Sequence, residues 1–344
     1  MKKPIAIIFN DVHLKTGNEK AIIQGFKYMV KLATEKGIDN LIFAGDLFDS
    51  RQFQRQSILE AFDICLNEVK EANLKLYMFA GNHDKTIYED DYSFLEPFRH
   101  HPNVTLNNQV SEIEIDGVNI TLMPFWSDDI LIPKIHEHSG SDVLISHFEM
   151  EGSVDLDTIS LKRSINKKML SKWKKVYLGH FHNHVEITKD IVHLPSFMQN
   201  YFGEDSKKGF AILNDDLSYD LIKGHFREFK KLSIDIDKTT LGEIKTLIGD
   251  YKNSSMVIRF EFFGSRGKLD ALDKSIFKDT GIDIKKKHTK QYDFNSMELE
   301  VPTIKEKYGK EDVENTFEQF CESKELDHSE GVVLLKEFFK NKGI

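Results

Sequence analysis

Ile5-Ala6-Ile7-Ile8-Phe9-Asn10-Asp11-Val12-His13 and Leu41-Ile42-Phe43-Ala44-Gly45-Asp46-Leu47-Phe48-Asp49 follow one plan: an unbroken apolar run, then an abrupt cluster of Asp, Asn or His. The plan recurs where Leu74 to Ala80 meets Gly81-Asn82-His83-Asp84, where Val143 to Ile145 meets Ser146-His147, and where Val176 to Leu178 meets Gly179-His180-Phe181-His182. Short apolar runs of this kind, bounded by turn residues, read as strands. Two helical patterns separate the first three runs. Ile22, Phe26, Met29, Val30 and Ala33 share one face of Glu19 to Lys36, and Ile58, Phe62, Cys65, Leu66 and Val69 share one face of Ser57 to Ala72. The first third therefore reads β-α-β-α-β, an α/β fold class with both helices packed on the sheet.

Further along, closely spaced strands are expected over 113–115, 118–123, 143–146, 176–178, 191–194, 209–213 and 219–222. From Phe229 a second β-α-β-α-β pattern begins, with strands over 232–236, 256–263 and 282–287 and helices over 241–250 and 268–280. Two amphipathic helices end the chain, one carrying Val313, Phe317, Phe320 and Cys321, the other Val332, Leu335, Phe338 and Phe339, around a break at Asp327 to Ser329. These shifts divide the chain into 1–228, 229–300 and 301–344.

Composition narrows the function. Of 344 residues, 40% are hydrophobic and 30% charged, which excludes global disorder. Lys plus Arg number 47 against 56 Asp plus Glu, a net charge of −9, so the chain does not coat nucleic acid by bulk charge. Any such contact is local, metal-assisted or supplied by a partner. Cys65 and Cys321 are too few and too far apart for a disulfide framework and fit a reducing compartment. The first apolar run is too short for a signal-peptide core, and no stretch approaches the roughly 20 residues of a membrane span. A cytoplasmic location without membrane insertion is expected.

In an open α/β sheet the loops after strand C-termini meet in one crevice. The donors brought there are Asp11, His13, Asp46, Asn82, His147, His180 and His182. Singly, Asp-x-His or Gly-Asn-His-Asp is an ordinary turn. Five such clusters in order, each at a strand end, point to metal. One ion takes three or four protein ligands, so seven donors imply two metals sharing one. Asp46 is the natural bridge, because a carboxylate offers two oxygens to two cations roughly 4 Å apart. The imidazole and carboxylate mixture suits Mn, Fe, Zn or Co better than Mg or Ca. His83, beside Asn82 and not itself a ligand, is the candidate to position a phosphate and assist a departing alkoxide, with Asp49 orienting it by accepting an imidazole hydrogen bond.

Other residues have blander readings. His100, His101, His136, His138, His225, His288 and His328 are solvated, His193 is packed, and His184 is exposed or stands behind a ligand. Trp126 is core or rim, or else stacks on a base. The run Lys285 to Lys287, with Lys290, is a solvated strand or a phosphate contact.

The order Asp-x-His, Gly-Asp-x-x-Asp, Gly-Asn-His-Asp, a later His and Gly-His-x-His resembles the calcineurin-like metallophosphoesterase superfamily over residues 1 to about 228. That resemblance implies a β-sandwich flanked by helices, followed by a small α+β capping domain and a C-terminal helix-loop-helix. Gly45-Asp46-Leu47-Phe48-Asp49-Ser50-Arg51 with Asn82-His83-Asp84 looks like the SbcD-type DNA nucleases, a branch of the meiotic recombination eleven family. The loop Pro195-Ser196-Phe197 through Phe202-Gly203-Glu204-Asp205 to Lys207-Lys208-Gly209-Phe210 is similar too. In length the chain looks closer to the recombination nuclease subunits of large tailed phages. Some members carry His where Asp49 stands. The resemblance implies two Mn²⁺, one on Asp11, His13, Asp46 and His182 and the other on Asp46, Asn82, His147 and His180. It also implies 3′ to 5′ exonuclease activity on duplex DNA and endonuclease activity on single strands. The implied partners are DNA, an SbcC-type coiled-coil ABC ATPase gripped by the terminal helices, and a second copy docking near 52–62. The alternatives are a phosphoesterase on small-molecule or protein substrates and a non-catalytic DNA-end scaffold. The extra C-terminal modules exceed a minimal phosphatase, and a scaffold has no use for His83.

Overall fold

The computed structural model describes residues 2–153, 164–224 and 227–288. Strand parity explains the unbroken apolar runs. In β1 (Pro4–Phe9), β2 (Asn40–Ala44) and β3 (Lys75–Phe79), Ile7, Phe9, Leu41, Phe43, Leu76 and Met78 face α1 (Glu19–Lys36) and α2 (Gln56–Glu71). Their neighbours Ala6, Ile8, Ile42, Ala44 and Phe79 turn the other way, onto a second sheet. Both faces are dry, so neither needs a polar residue.

Three further strands complete the first sheet: β4 (Val104–Leu106), β11 (Gly209–Asn214) and β12 (Tyr219–Lys223), in the order β12-β11-β1-β2-β3-β4. The second sheet comprises β5 (Ser111–Ile115), β6 (Val118–Met123), β7 (Val143–His147), β8 (Lys175–Gly179), β9 (Val185–Thr188) and β10 (Ile191–His193), in the order β5-β6-β7-β8-β10-β9. Ile120, Leu122, Val143, Ile145 and Tyr177 fill the space between the sheets. On its outer face Leu144, Val176 and Leu178 pack under Trp173 and under Leu131 and Ile135 of α3 (Asp128–Glu137). The architecture is a mixed α/β sandwich of two sheets flanked by helices. Among the strands and α-helices described, three had no sequence signal: β4 and β9 are short edge strands, and α3 holds Pro133.

A third sheet of β13 (Phe229–Asp235), β14 (Val257–Gly264) and β15 (Asp283–His288) is parallel throughout, with β14 central. α4 (Leu241–Tyr251) begins at a Thr240–Glu243 capping box, the reciprocal bonding that satisfies two orphan N–H groups. The helix expected over 268–280 is interrupted. α5 (Arg266–Ala271) ends at extended Leu272 and Asp273, and the Asp273 side chain accepts from Ser275 N to start a separate 3₁₀ turn, Lys274–Phe277. An Asp that bonds the backbone two residues on competes with helix continuation. The sheet leans on the first unit: Phe229 N–H donates to Gln199 Oε1 (2.8 Å), and the Arg259 guanidinium lies 4.0 Å above the Phe202 ring.

The lysine run does not form one basic stripe, because the pleat divides it. Lys286 donates to the carbonyls of Leu269 and Leu272, while Lys287 pairs with Glu261 at 2.8 Å. Lys290, His225, His328, the rest of the segment expected as capping domain to residue 300, and both C-terminal helices lie outside the described residues. Among the described residues no helix is long and apolar enough to cross a membrane.

Candidate metal centre

The loops leaving β1 and β2 are stitched together, Asp11 N–H donating to Gly45 O (2.9 Å) and His13 N–H to Asp46 O (3.1 Å). From the second sheet, His180 N–H reaches Asp11 Oδ2 (3.0 Å) and His147 Nδ1 donates to Ala44 O (2.8 Å). All seven sequence-selected donors thus converge. Asp11, His13, Asp46 and His180 have φ of 50°, 45°, 61° and 86°, the left-handed region that non-glycine residues occupy only when their surroundings over-determine them. Four of the eight non-glycine residues with positive φ among the described residues thus face the centre.

Two sets of donors form around Asp46. In one, His13 Nε2 and His182 Nε2 are 3.0 Å apart, and each is 3.7 Å from Asp11 Oδ1; Asp46 Oδ2 is 3.7 Å from His13 Nε2. In the other, His147 Nε2 lies 3.2 Å from Asp46 Oδ2 and 3.1 Å from Asn82 Oδ1, and His180 Nδ1 lies 2.9 Å from Asn82 Oδ1. Because the hydrogen of His147 is committed to Ala44 O at Nδ1, its Nε2 brings a lone pair against two oxygen acceptors. A proton or a cation reconciles them. Asp11 Oδ1 is buried with no hydrogen-bond partner among the described residues. Buried polar atoms are ordinarily paired, so this orphan and the facing lone pairs are what a divalent-cation site requires.

Charge follows the same logic. Burial opposes ionisation of Asp11 and Asp46, yet the surrounding imidazoles, His147 foremost, outweigh it and hold both carboxyls well below their usual range. Burial also disfavours protonated His147, but Asp46 and Asp11 carry it up to about 9. His180 is pushed down to about 3, by burial first and His147 second, and so stays a neutral donor.

His83 stands at the edge of this cluster, its ring centroid 4.7 Å from that of His13 and its N–H donating to Asp46 Oδ1 (2.8 Å). Its orientation departs from the sequence expectation in one respect. The acceptor for His83 Nδ1 is the main-chain carbonyl of Asp49 (2.9 Å), whereas the Asp49 carboxylate, 41% exposed, pairs with Lys15 at 2.8 Å. The reach of a short turn lets the backbone arrive first, so this contact does not depend on the side chain at 49. Asp84 takes a role the sequence did not assign: its buried carboxylate accepts from the N–H groups of Asp46, Leu47, Phe48 and Gly81, pinning the two loops. Glu204, which the sequence marks only as one residue of the 195–210 loop, bonds His182 Nδ1 at 2.5 Å. Trp126 is core, His193 is packed between Ser153 Oγ and Gly179 O, and His184 meets Tyr219.

Residues 6–226, well over half of the chain, match the calcineurin-like phosphoesterase family. The chain belongs to that family. Among solved structures, this calcineurin-like phosphoesterase is similar to the nuclease MPE of Pseudomonas putida, at 14% identity and a TM-score of 0.31 over 60% of this chain and 84% of that one. It is also similar to a dimetal phosphatase from Danio rerio, at 10% identity and a TM-score of 0.31 over 83% of this chain and 87% of that one. Membership makes the crevice a candidate dimetal hydrolase centre.

Proposed function

We propose that this phosphoesterase is a manganese-dependent DNA phosphodiesterase of the SbcD-like kind, in which Asp46 is shared by two cations. The observation that carries the hydrolytic reading is Asp46 itself, buried between one donor set of Asp11, His13 and His182 and another of Asn82, His147 and His180. Two divalent ions, held by these residues, would supply Lewis acidity for water and for the charge of the phosphodiester. The chain's own residues do the rest. Asp11, Asp46 and the neutral face of His180 supply electron pairs. His83, held by Asp49 O at Nδ1, keeps Nε2 for the substrate, where it would donate to a phosphoryl oxygen and then to the departing 3′ or 5′ oxygen. The main-chain bond from His83 to Asp46 ties acid and bridge in one geometry.

The choice of DNA is supported by the motif detail Gly45-Asp46-Leu47-Phe48-Asp49 and Asn82-His83-Asp84, and by the third sheet resting on the 197–208 loop beside the centre. On this reading residues 229–300 cap the centre against DNA. Residues 301–344 bind an SbcC-type ATPase, so deletion of 305–344 abolishes copurification with that ATPase while manganese-dependent cleavage of short substrates persists.

The test is one panel: plasmid, end-labelled duplex and a phosphomonoester, each with Mn²⁺, Mg²⁺ or EDTA. Cleavage of DNA with Mn²⁺ exceeding that with Mg²⁺ and absent in EDTA is expected. Turnover of the monoester alone overturns the DNA assignment, and DNA binding without cleavage in any metal returns the scaffold.

A further inference from the structure

His182 enters the centre with its back to a buried carboxylate. Glu204 Oε1 lies 2.5 Å from His182 Nδ1, and Glu204 Oε2 accepts the main-chain N–H of Asn200 at 2.9 Å. The Lys208 ammonium stands 3.7 Å from the same Oε2 and donates to His182 O (2.6 Å) and Asn183 Oδ1 (2.7 Å). Both side chains are essentially inaccessible, at 0% exposure for Glu204 and 2% for Lys208. Every group facing Glu204 is therefore a donor. A carboxylate accepts on both oxygens, whereas an amide has one acceptor and would set its NH₂ against either Asn200 N–H or His182 Nδ1–H. In the other donor set His147 Nδ1 donates to a main-chain carbonyl and His180 Nδ1 faces Asn82, while beside His182 the carboxylate at His13 Nδ1 is the half-exposed Asp49, 3.8 Å away.

We infer that Glu204 is a positioning residue that holds His182 as the tautomer with its hydrogen on Nδ1, enriches Nε2 in electron density, and makes the cation position of Asp11, His13 and His182 the tighter of two. The inference rests on the two-metal reading above. A carboxylate behind a ligating imidazole fixes the ring and raises its basicity, and its loss typically weakens metal affinity about 10- to 100-fold. Glu204 is in turn anchored from outside the centre: Gln199 Nε2 donates to Glu204 O (2.8 Å) while Gln199 Oε1 accepts from Phe229 N. One amide thus joins the first residue of β13 to the residue behind His182.

The experiment titrates metal-free full-length protein with Mn²⁺ and follows the free aquo-ion by electron paramagnetic resonance, for wild type and Glu204→Gln, with thermal melts alongside. Wild type is expected to bind two ions of unequal affinity. Glu204→Gln should weaken one position about 10- to 100-fold and leave the other in place. Unchanged affinity at both positions overturns the inference. Should the variant fail to fold, the His182 tautomer in metal-free wild type decides, read by long-range nitrogen–proton correlation: hydrogen on Nδ1 supports the assignment and hydrogen on Nε2 overturns it. A folded wild type that takes up no manganese defeats the two-metal reading instead, and the tautomer measurement stands apart from it.

Discussion

Gly81→Ala is the sharpest steric test of the Asp46 geometry. A Cβ at Gly81 would lie 2.2 Å from Asp46 Oδ1, 2.5 Å from Asp46 N and 2.9 Å from Asp46 Cγ, where real Cβ atoms essentially never come within 3.0 Å. Rotating the carboxylate relieves Oδ1 but not the amide, so the two loops must part, and they are pinned by Asp84, which accepts from both Gly81 N and Asp46 N. Overpacking of this kind costs about 1–3 kcal/mol of stability. Moving a reacting-site group by about 1 Å lowers turnover about 10²-fold, since the productive geometry is lost. Hydrolysis of bis(p-nitrophenyl) phosphate with Mn²⁺, measured beside metal stoichiometry and a thermal melt, reads both effects. Gly249→Ala is the control: it sits in α4 with nothing within 4 Å of its Cβ position. That change should stabilise by roughly 0.5–1 kcal/mol and leave turnover alone. If Gly81→Ala binds two ions and turns over at the wild-type rate, the crowding argument and the central place of Asp46 both fail.

His83→Gln should keep both metals and lose about 10²- to 10⁴-fold in cleaving DNA, with a smaller loss on a p-nitrophenyl ester whose leaving group needs no proton; equal losses on both substrates would deny it the acid role. Asp49→Ala should change DNA cleavage only slightly, because the backbone carbonyl holds His83 and the exposed Lys15 pair is worth about 0–1 kcal/mol; a loss matching that of His83→Gln would restore a role to the carboxylate. In EDTA, the protein should lose stability as pH rises from about 6.5 to about 9. His147 is a base raised above its ordinary value, so its contribution is whole below the unfolded pKa and gone once the folded one is passed. The loss is about 3 kcal/mol on linkage, and manganese should remove the dependence; a flat melting temperature in EDTA across that window refutes the charge assignment.

The seven donors were legible because each follows a strand that had to be apolar on both faces, so every polar cluster stood out against its run. Turn residues at strand ends are local in sequence, and parallel strand order gathers those of one sheet at one edge, while the packing of the two sheets brings His147, His180 and His182 against Asp11, His13, Asp46 and Asn82. Glu204 was not legible as a site residue. It lies 22 positions after His182, in a loop without periodicity, and a buried carboxylate there looks in sequence like any surface Glu. The same holds for the Asp49 contact: residue types indicate that an acceptor is near His83 but not which oxygen arrives first.

Local pattern set most of the element types, the boundary of α1 and the list of candidate donors, since burial period and ligand chemistry are written residue by residue. Packing settled what depends on atoms distant in the chain. It divided the donors into two sets around Asp46, gave Asp84 to the loops and Glu204 to His182, broke the helix at Asp273 and parted Lys286 from Lys287. Each of these is a choice among several donors or acceptors of the same kind, and such choices turn on distances of a few tenths of an ångström that no spacing in the chain specifies.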